Sequence, residues 1–222
     1  MSDLLETIDI ETGREPRAAV IWLHGLGADG HDFEPIVPEL GMPAAAPPVR
    51  FVFPHAPLQP VTINGGAVMR AWYDVTGDGR QDAAGVRSSQ AHVEALIARE
   101  RARGVAARAI VLAGFSQGGA MALQTGLRYP ERLAGILALS AYLPLPDTVA
   151  NEAHAANRDV PIVMSHGIQD PVIPLSWAKR SRDHLVALGY AVDWREYPMP
   201  HSVCAEEIED VGRWLRLVLA PA

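Results

Sequence analysis

Cysteine is almost absent. Cys204 stands alone among 222 residues, so no internal disulfide can form, and a reducing cytoplasm is the expected compartment. Lysine is just as scarce, with Lys179 the only one among 19 basic residues, and 26 acidic residues bring the formal charge to −7. A nucleic-acid binder needs a basic stripe to neutralise phosphates, so no nucleic-acid partner is expected. Long hydrophobic runs are missing too. The fourteen uncharged residues between Arg132 and Asp147 are broken by Ser140, Pro144 and Pro146, and a bilayer span needs ~18 unbroken apolar residues, so no transmembrane segment is expected. Met1-Ser2-Asp3-Leu4-Leu5-Glu6 has neither the basic nor the apolar region of a signal peptide. What the chain does have is globular composition, 49% apolar and 20% charged, which excludes wholesale disorder.

Short β-branched runs recur at Ala18–Leu23, Val49–Phe53, Ala109–Ala113, Gly135–Leu139, Pro161–Ser165 and Val192–Tyr197. Most are continuously apolar, the pattern of strands buried on both faces of a sheet. Helical spacing marks Val86–Arg103, Ala120–Leu127, Trp177–Leu188 and Ala205–Leu219, the first and third followed by the stops Gly104 and Gly189. Strands alternating with helices predict an α/β fold with a mostly parallel central sheet flanked by helices. No linker, repeat or charge block divides the chain, so residues 1–222 are expected to form a single domain. Gly41–Pro48 reads as a loop. Pro54–Gly85 fits no element, holding eight Pro and Gly residues around Trp72 and Tyr73. Loops of that length are more often functional than idle.

Gly114-Phe115-Ser116-Gln117-Gly118 fits G-x-S-x-G, a weak pattern strengthened by an apolar strand before it and a helical run after it. A serine on so sharp a turn is backbone-strained and needs small neighbours, and the helix start behind it offers free N–H groups to an anion. The bland alternative is a glycine-rich turn with a solvated serine, or a phosphate cradle, but no lysine stands near to complete a P-loop.

A serine hydroxyl becomes a strong nucleophile only beside a base held in the correct tautomer. In strand–turn–helix sites of this kind the partners follow in the order Ser, Asp or Glu, His. Asp170 lies just past the strand Pro161–Ser165, and His201 lies between Val192–Tyr197 and the last helix. Three strand ends thus supply the catalytic candidates Ser116, Asp170 and His201. For the oxyanion hole the expected backbone donors are Gln117, which follows the serine, and Leu26, in the turn His24-Gly25-Leu26-Gly27.

Rival bases are weaker. His24 and His166 each precede a glycine at a strand end and are expected to orient loops by hydrogen bonds, while His92, His154 and His184 read as solvated. His31 and His55 could also be proposed as bases. Asp193 and Glu196 suit salt bridges. No closely spaced His and carboxylate set such as H-E-x-x-H occurs, so neither a metal nor another cofactor is expected.

These segments, with Pro54-His55-Ala56-Pro57, Pro60-Val61-Thr62-Ile63-Asn64-Gly65-Gly66, Ala71-Trp72-Tyr73-Asp74, Gly167-Ile168-Gln169-Asp170-Pro171 and Tyr197-Pro198-Met199-Pro200-His201-Ser202, resemble the bacterial carboxylesterase/acyl-protein thioesterase family, also called the phospholipase/carboxylesterase family. The resemblance runs from about residue 18 to 210. It implies an α/β-hydrolase fold without a large cap domain, with Ser116, Asp170 and His201 as the triad and an acyl ester or thioester as substrate. It implies an acyl channel around Leu58, Ile63, Trp72, Tyr142 and Leu143, with Tyr142 where eukaryotic thioesterases usually carry tryptophan. A weak homodimer near that channel is also implied. Read independently, Trp72 and Tyr73 are either core plugs or substrate-facing aromatics. Within the hydrolase reading, small esters compete with lysophospholipids and S-acylated proteins. A dienelactone-type hydrolase would usually carry cysteine at position 116, and a non-catalytic scaffold of the same fold is the rival from another class.

Overall fold

The computed structural model describes residues 4–42 and 47–220. Met1–Asp3 of the amino-terminal hexapeptide and residues 43–46 of the expected Gly41–Pro48 loop lie outside them.

The apolar runs become strands and the periodic runs helices. In chain order the elements are β1 (Thr7–Glu11), β2 (Ala18–Leu23), β3 (Val49–Pro54), β4 (Leu58–Val61), β5 (Ala67–Arg70), α1 (Ala83–Ala102), β6 (Ile110–Phe115), α2 (Gln117–Arg128), β7 (Gly135–Leu139), α3 (Pro146–Glu152), β8 (Ile162–Gly167), α4 (Leu175–Ala187), β9 (Val192–Tyr197) and α5 (Ala205–Val218). Seven strands form one sheet in the order β1-β3-β2-β6-β7-β8-β9. Only β1 runs antiparallel to its neighbour. Both faces are covered, one by a cluster with Trp72, Leu96, Met121 and Leu185, the other by Trp22, Phe51, Leu137 and Trp214. The mostly parallel sheet flanked by helices is as expected. No helix among the described residues is long and apolar enough to cross a membrane.

Three of the boundary shifts matter for the site. Ala109 joins a short 3-10 turn, and β6 instead runs on through Gly114 and Phe115, because Gly114 pairs with Leu23 on one side and Ala138 on the other. Strand β8 extends two residues past Ser165, so His166 and Gly167 lie inside it, opposite Glu196 and Tyr197. Helix α2 starts at Gln117, three residues before Ala120. The unassigned stretch Pro54–Gly85 holds the β4–β5 hairpin, whose turn uses Gly65 and Gly66 at φ 67° and 80°. It then enters α1 through an Asp82 cap that accepts from the Gly85 N–H at 2.9 Å.

A buried acid ties β8 to α5. Ser165 Oγ donates to Glu207 Oε1 at 2.5 Å, and burial pushes the Glu207 carboxyl from 4.5 up to about 7. Below about pH 4.5 this group is protonated whether the chain is folded or unfolded, and its contribution to stability is fully present. That contribution is lost as pH rises through about 7, amounting to about 3 kcal/mol in all. Glu207→Gln keeps an acceptor for Ser165 but no charge. Thermal denaturation of both proteins at pH 5 and pH 8 is expected to show the variant melting close to the parent at pH 5 and about 5–10 °C above it at pH 8. Parallel curves for the two proteins would contradict the assignment.

Candidate active site

The carboxyl ends of β6, β8 and β9 open on one edge of the sheet, and the three strand-end residues meet there. Ser116 sits between β6 and α2 at φ 56° and ψ −120°, backbone geometry that a non-glycine residue keeps only when its surroundings enforce it. The enforcement comes from packing. A Cβ at Gly114 would collide with the Gly118 backbone, and one at Gly118 would collide with the Leu23 carbonyl. The Ser116 N–H also donates to Leu139 O at 2.8 Å. The turn is therefore held from β2, β6 and β7 together.

His201 bridges the other two residues. Its Nε2 lies 2.9 Å from Ser116 Oγ and its Nδ1 lies 2.7 Å from Asp170 Oδ2. A carboxylate can only accept, so Nδ1 carries the proton and Nε2 is left to accept from the serine hydroxyl. The Phe115 ring packs against the imidazole, with centroids 4.7 Å apart. Asp170 is fixed as firmly, since Oδ1 accepts from the Val172 and Ile173 N–H groups at 2.8 and 2.9 Å. That leaves Oδ2 for the histidine. His166 reaches the same loop, with Nε2 2.8 Å from Ile173 O and 3.3 Å from Asp170 Oδ2, and burial pulls its imidazole below the usual value. It therefore serves as a neutral donor.

His24 plays the matching part in the turn after β2. The Ala56 N–H can only donate, and it points at His24 Nε2 at 3.0 Å, so Nδ1–H must donate to Gly25 O at 2.7 Å. Burial pulls His24 down to about 4, which keeps it in this neutral form. In a trans peptide the C=O and N–H point opposite ways, so anchoring Gly25 O also aims the Leu26 N–H. No backbone acceptor takes the Leu26 amide among the described residues. The Gln117 N–H opens α2 and by position has no intrahelical partner. Both expected donors are thus unspent.

The remaining histidines behave as ordinary groups. His31 pairs with Glu34, His55 accepts from Gly30 N–H, and exposed His154 accepts from Ala156 N–H. His92 and His184 are half-buried rather than solvated. Asp193 pairs with Arg195, and Glu196 with Lys179. Among the described residues no group of three His, Cys, Asp or Glu is placed to hold a metal.

The expected acyl-channel residues separate. Leu58 and Ile63, 62% and 54% exposed, lie on and just beyond the β4 strand. Trp72 is 0% exposed and takes the core-plug role, and Leu143, 3% exposed, also belongs to the core rather than to a channel wall. Both expectations are corrected by packing: each side chain is enclosed by the cluster beneath α1 and α2. Tyr142 is half-buried, its hydroxyl 2.8 Å from that of Tyr73 and its ring edge-on to Trp177. The sequence reading passed over three contributors, namely the Phe115 ring, the Tyr73 hydroxyl and the Gln117 side chain. Of these, Tyr73 was already singled out by its place in the long glycine-rich stretch.

Residues 6–219 match the phospholipase/carboxylesterase family. The chain is 40% identical over 215 residues to acyl-protein thioesterase 1 of Gibberella zeae, covering 92% of each chain. It is 39% identical to acyl-protein thioesterase 1 of Yarrowia lipolytica, over 89% of this chain and 90% of that one. Among solved structures, Arabidopsis thaliana SOBER1 superposes with a TM-score of 0.86 at 31% identity, over 91% of this chain and 99% of that one. Acyl-protein thioesterase 2 of Zea mays gives 0.85 at 29%, over 97% and 99%. These relatives are fungal and plant proteins, so the resemblance is not confined to bacterial members. An α/β-hydrolase sheet and a near full-length match to one enzyme family lead to one conclusion: the chain is a hydrolase belonging to the phospholipase/carboxylesterase family.

Proposed function

We propose that the chain is a serine carboxylester hydrolase, a single catalytic domain acting on short- to medium-chain acyl esters and the corresponding thioesters through an acyl-enzyme on Ser116. The observation that carries this reading is the position of His201, with its two ring nitrogens within 2.9 Å of Ser116 Oγ and 2.7 Å of Asp170 Oδ2. Ser116 Oγ attacks the acyl carbonyl and passes its proton to His201 Nε2. The charge that develops on the carbonyl oxygen is met by the Leu26 and Gln117 N–H groups. Asp170 stabilises the imidazolium without taking its proton. His201 then protonates the departing alcohol or thiol. A water enters, gives a proton to Nε2 and attacks the acyl carbon; the bond to Ser116 Oγ then breaks as Nε2 returns that proton to Oγ, and the acid leaves. The lone Cys204 agrees with a reducing cytoplasm as the place of action.

The shorter substrates are supported by Tyr142, which stands where the eukaryotic thioesterases that the chain resembles usually carry tryptophan. Its hydroxyl closes on that of Tyr73 at 2.8 Å. The second reading, a thioesterase acting on acylated proteins or a lysophospholipase, rests on the identity of about 40% to acyl-protein thioesterase 1 of Gibberella zeae. Kinetics on 4-nitrophenyl esters from acetyl to palmitoyl, beside one acyl thioester, separate the two. We expect kcat/KM to peak below decanoyl and fall about tenfold or more at palmitoyl. A maximum at palmitoyl would favour the second reading.

A further inference from the structure

The two oxyanion donors belong to different elements, Leu26 to the turn after β2 and Gln117 to the start of α2. Stabilisation of an oxyanion requires both N–H groups to lie ~2.7–3.1 Å from it, so their separation has to be set by something. One short segment bonds to both. On the Leu26 side, Arg70 O accepts from Gly27 N–H at 2.9 Å and the Trp72 indole N–H donates to His24 O at 2.9 Å. On the other side, Gln117 Oε1 accepts from Trp72 N–H at 2.7 Å and Gln117 Nε2 donates to Tyr73 O at 2.7 Å. Ser89 Oγ donates to Trp72 O, so every polar group of the fully buried Trp72 is engaged.

We propose that the Gln117 side chain and the Trp72 indole are positioning residues that fix the spacing of the Leu26 and Gln117 amides. The assignment rests on reading Ser116 as the nucleophile and deepens it. Neither side chain touches the reacting atoms. The Gln117 side chain ties its own residue to residues 72 and 73, and the Trp72 indole bonds His24 O, two residues before Leu26. The amide of Gln117 is well suited to this, because one planar group offers a donor and an acceptor to consecutive residues of the same segment. Leucine or methionine would fill the space without holding the register.

The test uses Gln117→Met, which keeps the volume and removes both bonds, and Trp72→Phe, which keeps a ring in the core while removing the indole donor and part of the buried volume. Active sites are first counted with a fluorophosphonate, so that misfolded molecules do not enter kcat. Per active site, kcat on a 4-nitrophenyl ester is expected to fall about 10- to 100-fold with KM within about twofold. Affinity for a trifluoromethyl ketone, whose adduct carries the oxyanion, should fall by a similar factor. A purely structural role lowers the titrated fraction and the melting temperature and leaves kcat per site and ketone affinity unchanged, and that result would overturn the proposal. Trp72→Phe decides the matter where Gln117→Met does not fold. If the parent takes no label on Ser116, the reading beneath the proposal fails. A labelled parent with unimpaired variants sinks the positioning role alone.

Discussion

Ser116→Ala is expected to lower kcat on a 4-nitrophenyl acyl ester by ~10⁴-fold or more, with the melting temperature within a few degrees of the parent. The two halves of that expectation have separate causes. The hydroxyl is the only atom removed, and its partner in the structure is His201 Nε2 at 2.9 Å. What holds the turn is the Ser116 N–H to Leu139 O and the close approach of Gly114 to Gly118, and neither needs the hydroxyl. The oxyanion amides stay in place, so a residual rate above the uncatalysed one survives. A far smaller fall in kcat, or a collapse of the fold, would mean that Ser116 has been misread.

Asp170→Asn is expected to cost about 10⁴-fold in kcat while leaving the backbone nearly unmoved. The size of the effect follows from which way the new amide must point. Val172 and Ile173 N–H both donate to Oδ1, and an amide oxygen can keep those bonds while an NH2 group cannot. The asparagine NH2 is therefore turned toward His201 Nδ1, which must then accept. The imidazole proton moves to Nε2, facing the serine hydroxyl, and the base is lost. Because His166 Nε2 is also 3.3 Å from that oxygen, the substitution sets a second donor against a donor. Steady-state kinetics at pH 8 read the effect, and a loss of less than tenfold would show that the carboxylate does not set the tautomer.

How much was legible in the sequence depended on what each segment buries. Strands β2, β7 and β9 sit where the apolar runs predict them, the first two because they are buried on both faces and so carry an unbroken signal. The edge strand β1 reads Thr-Ile-Asp-Ile-Glu, half polar and half exposed, and gives no such run. The β4–β5 hairpin is short and mostly exposed, and its only clue was Asn64-Gly65-Gly66. Ser116, Asp170 and His201 were readable because each follows a strand run, buried for β6 and β8 and partly exposed for the edge strand β9. Their side-chain partners were not. Nothing in the spacing distinguishes a tryptophan that faces substrate from one that plugs a core, and Trp72 does the latter. Gln117 was read only for its backbone N–H, since a motif specifies the position after the serine by its place in the turn. Its buried side chain emerges only once residues 72 and 73 are brought across from the hairpin.

The central claim is that acyl transfer passes through Ser116 Oγ, and covalent trapping tests it most directly. The protein is reacted with a fluorophosphonate at one equivalent, its residual esterase activity is measured, and the adduct is mapped by peptide mass spectrometry. The account predicts a single adduct on Ser116, loss of turnover in proportion to its occupancy, and no adduct in Ser116→Ala. An adduct on any other residue that tracks the loss of activity, or full turnover by protein labelled on Ser116, would contradict it.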